Sequence, residues 1–242
     1  MAGLNKKSLL KTRCVTVSVA VVLLAVWLLH RPALCGLAGL LVTDTSADSD
    51  AIWIRSNDGV HGSGQNCYDL AAEWYRRGPA RRIVLVAWHP QRVVELGIVP
   101  SFEALCRREL TRRHVPETAI AVIPGDACTS WQEVRAMDRW LAGQPDVRVT
   151  AIARRFDSRL LHAMFQAVDR RLSDQVGILA LRERAFDETN WWQRRGGVKA
   201  VMFAAIDLSY VWCQGEGQSP GTPPSAESYE SAYLHSLPEV AR

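Results

Sequence analysis

The residues able to do chemistry in this chain stand just after short apolar runs. Arg55, Ser56, Asn57 and Asp58 follow AIWI, and His89 follows RIVLVAW. Gly125, Asp126, Thr129, Ser130 and Glu133 follow IAVI, and Arg154, Arg155, Asp157 and Arg159 follow VRVTAIA. Several arginines at such positions suit a phosphate or carboxylate, which a guanidinium grips with two parallel donors. Asp157 and Glu133 are the candidate acid–base groups, and Arg55, Ser56, His89, Ser130, Arg154 and Arg159 the candidate ligand contacts. Each also has a plainer use. Ser130 with Glu133 spells a capping box, and Asp157-Ser158 suits a helix start. His89 before Pro90 suits a loop, and Trp191-Trp192 suits packing. Arg159 in a first helical turn opposes the helix dipole, which favours an anionic partner.

For these residues to meet, the elements carrying them must be parallel strands. The sequence reads as strands at Ala51–Arg55, Arg82–Trp88, Ile120–Ile123, Val147–Ala153 and Val176–Leu181. Between them lie helical patterns at Asn66–Arg77, Ser101–His114, Ser130–Ala142 and Ser158–Leu172, then a closing helix at Val198–Trp212. Pro124-Gly125 reads as the end of the third strand and Gly196-Gly197 as a break. Alternating strands and helices predict an α/β fold, a Rossmann-like open, mainly parallel sheet of about five strands with helices on both faces. In that architecture ligands meet the carboxyl ends of the strands.

Residues 14–30 carry no charged side chain, and Lys6, Lys7, Lys11 and Arg13 before them equal the whole net charge of +4. This predicts one transmembrane anchor, its basic start (residues 1–13) cytoplasmic and the domain outside, by the positive-inside rule. A cleaved signal peptide is the alternative. Residues 31–49 read as a linker holding a short apolar helix, residues 50–213 as the α/β domain, and residues 214–242 as a disordered Gly/Pro/Ser-rich tail. With the charge of the start set aside the chain is balanced, which argues against a nucleic-acid surface. No dinucleotide fingerprint, P-loop, nucleophile elbow or histidine cluster for a metal is present, so no cofactor or reaction is named. The cysteines suit buried apolar positions, or an oxidised pair among Cys67, Cys106, Cys128 and Cys213.

Several segments together resemble the SanA/ElyC/YdcF family of envelope-associated proteins. They are Asp50-Ala51 before IWI, Tyr75-Arg76-Arg77-Gly78, the run Thr129 to Val134, Phe156-Asp157-Ser158-Arg159, and the pair Trp191-Trp192. The resemblance implies an envelope role in cell-wall or surface-polymer metabolism, with a cell-wall precursor or other anionic small molecule as ligand. The chain departs from the pattern at three turns. Arg55-Ser56 replaces a glycine pair, Ala87-Trp88-His89 replaces a Ser-Gly-Gly turn, and Asp157 replaces a histidine. Bulky residues fill the space through which a ligand would approach backbone amides. This implies a divergent member, or a catalytically inactive module that binds a partner protein or metabolite.

Overall fold

A computed structural model describes residues 18, 27–46, 48–56, 66–78 and 80–215. Most of the apolar anchor run, the glycine-rich loop after the first strand (with Asn57 and Asp58) and the tail beyond 215 lie outside the described residues.

Five strands form one parallel sheet: β1 (Ala51–Ile54), β2 (Arg82–Trp88), β3 (Ile120–Ala127), β4 (Val149–Arg154) and β5 (Val176–Leu181). Their order is β3-β2-β1-β4-β5. The β-branched runs are buried on both sides, as parallel strands between helical layers require. Side chains alternate between two cores. Ile52, Ile54, Ile83, Leu85 and Ile152 face α1 (Cys67–Arg77) and α3 (Phe102–Thr111), which follows the short α2 (Arg92–Glu95) in the chain. Trp53, Val84, Val86, Ala151 and Ile178 face α4 (Ser130–Ala142), α5 (Ser158–Val168) and α7 (Arg195–Gln214). A short α6 (Arg170–Gln175) leads into β5. The chain winds outward from β1 in one direction and then from β4 in the other, so the switch point lies between the carboxyl ends of β1 and β4.

The three larger departures from expectation each have a local reason. The third strand does not stop at Pro124-Gly125 but runs to Ala127. There β3 bulges against β2, Trp88 pairing with Ala127 after Val86 pairs with Ile123. An edge strand tolerates a proline, and Gly125 is needed because a Cβ there would stand 2.5 Å from a Val86 methyl. Gly196-Gly197 does not break the chain. Both lie in the first turn of α7, and Gly197 lets that turn rest on the Trp191 backbone, whose oxygen is 2.4 Å from where a Cβ would be. The run Ser158–Leu172 is two helices. Asp169 is extended and its carboxylate accepts from the Arg171 N–H, capping α6.

Ahead of the sheet, residues 27–39 are helical. This piece is fastened to the domain. Its Ala38 and the following Leu41 are buried in the α5–α7 core, and the Trp191 indole donates to the Leu34 carbonyl. The linker then runs along the outer edge of β5. The Thr45 N–H donates to the Ile178 carbonyl, and Thr45 Oγ1 accepts from the Ile178 N–H. Gly177 permits this approach, since a Cβ there would lie 2.8 Å from the Thr45 oxygen. Among the described residues α7 is the one helix long and apolar enough to cross a membrane. Its Val201, Ala204, Leu208 and Val211 are nevertheless built into the domain core.

Candidate functional site

The carboxyl ends of the strands form one rim, and four groups of polar side chains stand on it. At the end of β1, Arg55 and Glu133 form a buried pair, Nε to Oε2 at 3.6 Å, with side-chain exposures of 5% and 0%. The Ser56 N–H donates to Glu133 Oε1 at 3.3 Å, and the Arg55 guanidinium lies 6.0 Å from the Trp53 ring centre. The expected capping box does not form. Thr129, not Ser130, caps α4, accepting from the Gln132 N–H, while Gln132 Oε1 reaches back to the Cys128 N–H. Moving the cap by one residue turns Glu133 from the helix start into the core, where Arg55 meets it.

At the end of β2, His89 Nδ1 lies 2.8 Å from Asp126 Oδ1, and both side chains are open to solvent. Asp126 is held at a φ of 48° by the β3 bulge, which aims it at His89. Trp88 ends β2. Its N–H donates to Glu103 Oε1, and its buried indole nitrogen makes no hydrogen bond among the described residues.

At the end of β4, Arg154 Nε donates to Asp157 Oδ2 at 2.7 Å, and Arg155 Nε donates to Glu188 Oε1 at 2.8 Å. Asp157 occupies the position before α5 but its side chain makes no cap bond, because Arg154 holds it. Ser158 is fully buried. Its hydroxyl donates to the Arg155 carbonyl and accepts from the Thr43 N–H. Arg159 is half-buried, its backbone N–H donates to the Leu41 carbonyl, and its Nε is buried with no hydrogen bond among the described residues. Burial, then the Arg159 charge, holds His162 one turn later below the usual imidazole value.

The fifth strand carries a group that the sequence reading passed over. Glu183, two residues past β5, has its carboxyl raised, mainly by burial, with Arg154 opposing the rise and Asp157 adding to it. Asp207 of α7 is raised by burial and by Asp157. Glu183 and Asp207 therefore join Arg154 and Asp157 around the β4–β5 end of the rim. Polling the fifth strand end like the other four would have found Glu183. Asp207 carries a weaker signal, an acid inside the otherwise apolar AVMFAAIDLSYVW run.

The structure thus divides the candidates. Arg55, Ser56 and Glu133 come together, as do Arg154 and Asp157, while His89 pairs with Asp126 on the β2–β3 side. Ser130 is half-buried beside the α4 cap, and Arg159 lies under the linker. A cavity of about 540 Å³ opens elsewhere, among Ala163, Ala167, Arg170, Asp174 and Trp212. It lies towards the far ends of α5 and α7 and contains none of these candidates. Among the described residues no cluster of three or more histidine, cysteine or acidic side chains could hold a metal ion. Cys35, Cys67, Cys106, Cys128 and Cys213 are free thiols. Burial pushes the Cys106 thiol up to about 12, so it behaves as a small apolar side chain. The chain matches no protein-family model and no curated protein by sequence.

Proposed function

We propose that the protein is a membrane-anchored, extracytoplasmic α/β domain of the SanA/ElyC/YdcF kind, serving cell-envelope biogenesis as a binding module rather than as a catalyst. The observation that carries this reading is the sealed Arg55–Glu133 pair at the switch point. A general acid or base must come within hydrogen-bond reach of its substrate. Glu133 has no solvent exposure, is ion-paired with Arg55 and accepts from the Ser56 N–H. Asp157, the other candidate, is held by Arg154. The rim's charges are largely spent on each other. Beside them the loop after β2 shows Val93, Leu96, Ile98 and Val99 to solvent, an apolar surface of the kind that makes contacts rather than catalyses.

One observation favours a second reading, an anionic ligand such as a cell-wall precursor. The buried Arg159 Nε has hydrogen-bonding capacity that the described residues leave unused.

A thermal-shift screen of the full chain in detergent, against inorganic phosphate, nucleotides and cell-wall precursors, separates the two. The module reading expects no shift and no consumption of any precursor. A compound that stabilises the wild type but not Arg159→Ala would replace it with the ligand reading. Turnover of a precursor that Glu133→Gln abolishes without unfolding the protein would make the domain an enzyme.

A further inference from the structure

We propose that the carboxyl-end rim of the sheet faces the bilayer, with the loop between β2 and α3 dipping its apolar side chains into lipid. The proposal rests on the anchored reading above and adds the orientation of the domain. The first support is the route of the linker. The Leu41 carbonyl accepts from the Arg159 N–H and the Thr43 N–H donates to Ser158, both at the start of α5 and so at the rim. Thr45 then pairs with Ile178 partway along β5, and Asp50 reaches Arg148 at the amino end of β4. The chain therefore descends from the rim to the foot of the sheet, and helix 27–39 joins the domain at the rim. Leu34, bonded to Trp191 beyond β5, is five residues from Leu29, about 7–8 Å along a helix. The end of the apolar run thus stands within two helical turns of the strand ends.

The second support is the loop itself. Leu96 is 62% exposed and Ile98 70%, with Val93 and Val99 open beside them. They follow β2, on the same rim. From β5 to β2 is three strand spacings, about 14 Å across the sheet. A domain hung from the β5 side thus brings this loop to the same lipid surface.

The third support is charge. Arg182, Arg184, Arg194 and Arg195 are exposed in the stretch from the end of β5 to the first turn of α7. Of the three acids among them, Glu188 holds Arg155, burial raises the carboxyl of Glu183, and Asp187 accepts from the Thr189 N–H. Arg92 stands at the base of the apolar loop, which carries one acid, Glu95. Exposed arginines around apolar tips suit anionic headgroups above hydrocarbon.

The competing surface is the outer face of α7, also apolar, with Met202, Phe203, Ile206 and Tyr210 exposed. That helix leaves the rim and descends beside α5, so Tyr210 lies about 22 Å from Arg195 along its axis. The two orientations therefore make opposite claims about Ile98 and Tyr210.

The test uses the full chain in vesicles of phosphatidylethanolamine and phosphatidylglycerol, with benzoylphenylalanine placed singly at Leu29, Ile98 or Tyr210. All three sites are exposed, so folding is not at risk, and mass spectrometry reads the adducts after illumination. The proposal expects a mass gain of one phospholipid at Leu29 and Ile98 and none at Tyr210. A lipid adduct at Leu29 with none at Ile98, or with one at Tyr210 instead, overturns the orientation and leaves the anchor standing. A product of twice the chain mass from Ile98 assigns the loop to a second copy and also overturns it. No lipid adduct at any of the three sites refutes the anchored reading and this proposal with it.

Discussion

Two arginine–carboxylate pairs close the two halves of one rim, and solvent sets them apart. Arg154–Asp157 is the closer contact, 2.7 Å from Nε to Oδ2, yet the Arg154 side chain is 49% exposed. Arg55–Glu133 is longer, 3.6 Å, with both partners buried. Distance alone would rank the first pair as the stronger element. Burial reverses that ranking, because an exposed pair competes with water and mobile ions, whereas a buried charge left without its partner has nowhere to go. The buried pair belongs to the framework, and the exposed pair, with Glu183 and Asp207 beside it, is the part of the rim that can still change partners.

The sharpest way to break this contrast is Glu133→Ala. Removing the buried carboxylate that faces Arg55 should lower the unfolding free energy by about 3–5 kcal/mol in a denaturant titration. A loss under about 1 kcal/mol would show that the pair is not truly dry. Joint replacement, Arg55→Met with Glu133→Leu, should recover most of that loss, since it removes both charges together.

Packing offers a comparison without charge. In Gly197→Ala a methyl group would have to displace the Trp191 backbone, so a loss of about 1–3 kcal/mol is expected in the same titration. It should be accompanied by a change in tryptophan fluorescence. Arg154→Ala should cost less, under about 1 kcal/mol, and that cost should shrink further in high salt.

The smallest effect concerns pH. His162 is held below its ordinary value, so the folded chain takes up a proton there less readily than the unfolded one. Its contribution to stability is complete above the usual imidazole range and is lost as pH falls through and below it. The stability difference between about pH 7.5 and about pH 5.5 should therefore be smaller in His162→Gln than in the wild type. An unchanged difference would remove His162 as a contributor.

The sheet was legible because β-branched runs buried on both faces leave few other readings. The bounds of β2, β5 and α4 agree with expectation to the residue. The misreadings share a cause, local signals whose purpose is set by distant residues. Pro124-Gly125 looks like a turn until Val86 is known to press on it. Gly196-Gly197 looks like a break until Trp191 fills the space beside it. Ser130-x-x-Glu133 looks like a cap until Thr129 and Gln132 take that task and Arg55 takes Glu133. The rim itself was legible as a set of strand ends. Which of its charges would be spent on one another was not, because pairing across β1, α4, β4 and the connection after β5 depends on side-chain reach that spacing does not encode.

The Thr45–Ile178 ladder has a practical consequence. With Thr45 laid against Ile178, the middle of the β5 margin is covered from neighbouring molecules. A truncated version starting at Asp50, chosen to simplify purification, would uncover that margin and the Leu41 and Ala38 sockets at once. Such a product should clump in solution, whereas one that keeps residues 34–49 should stay dispersed.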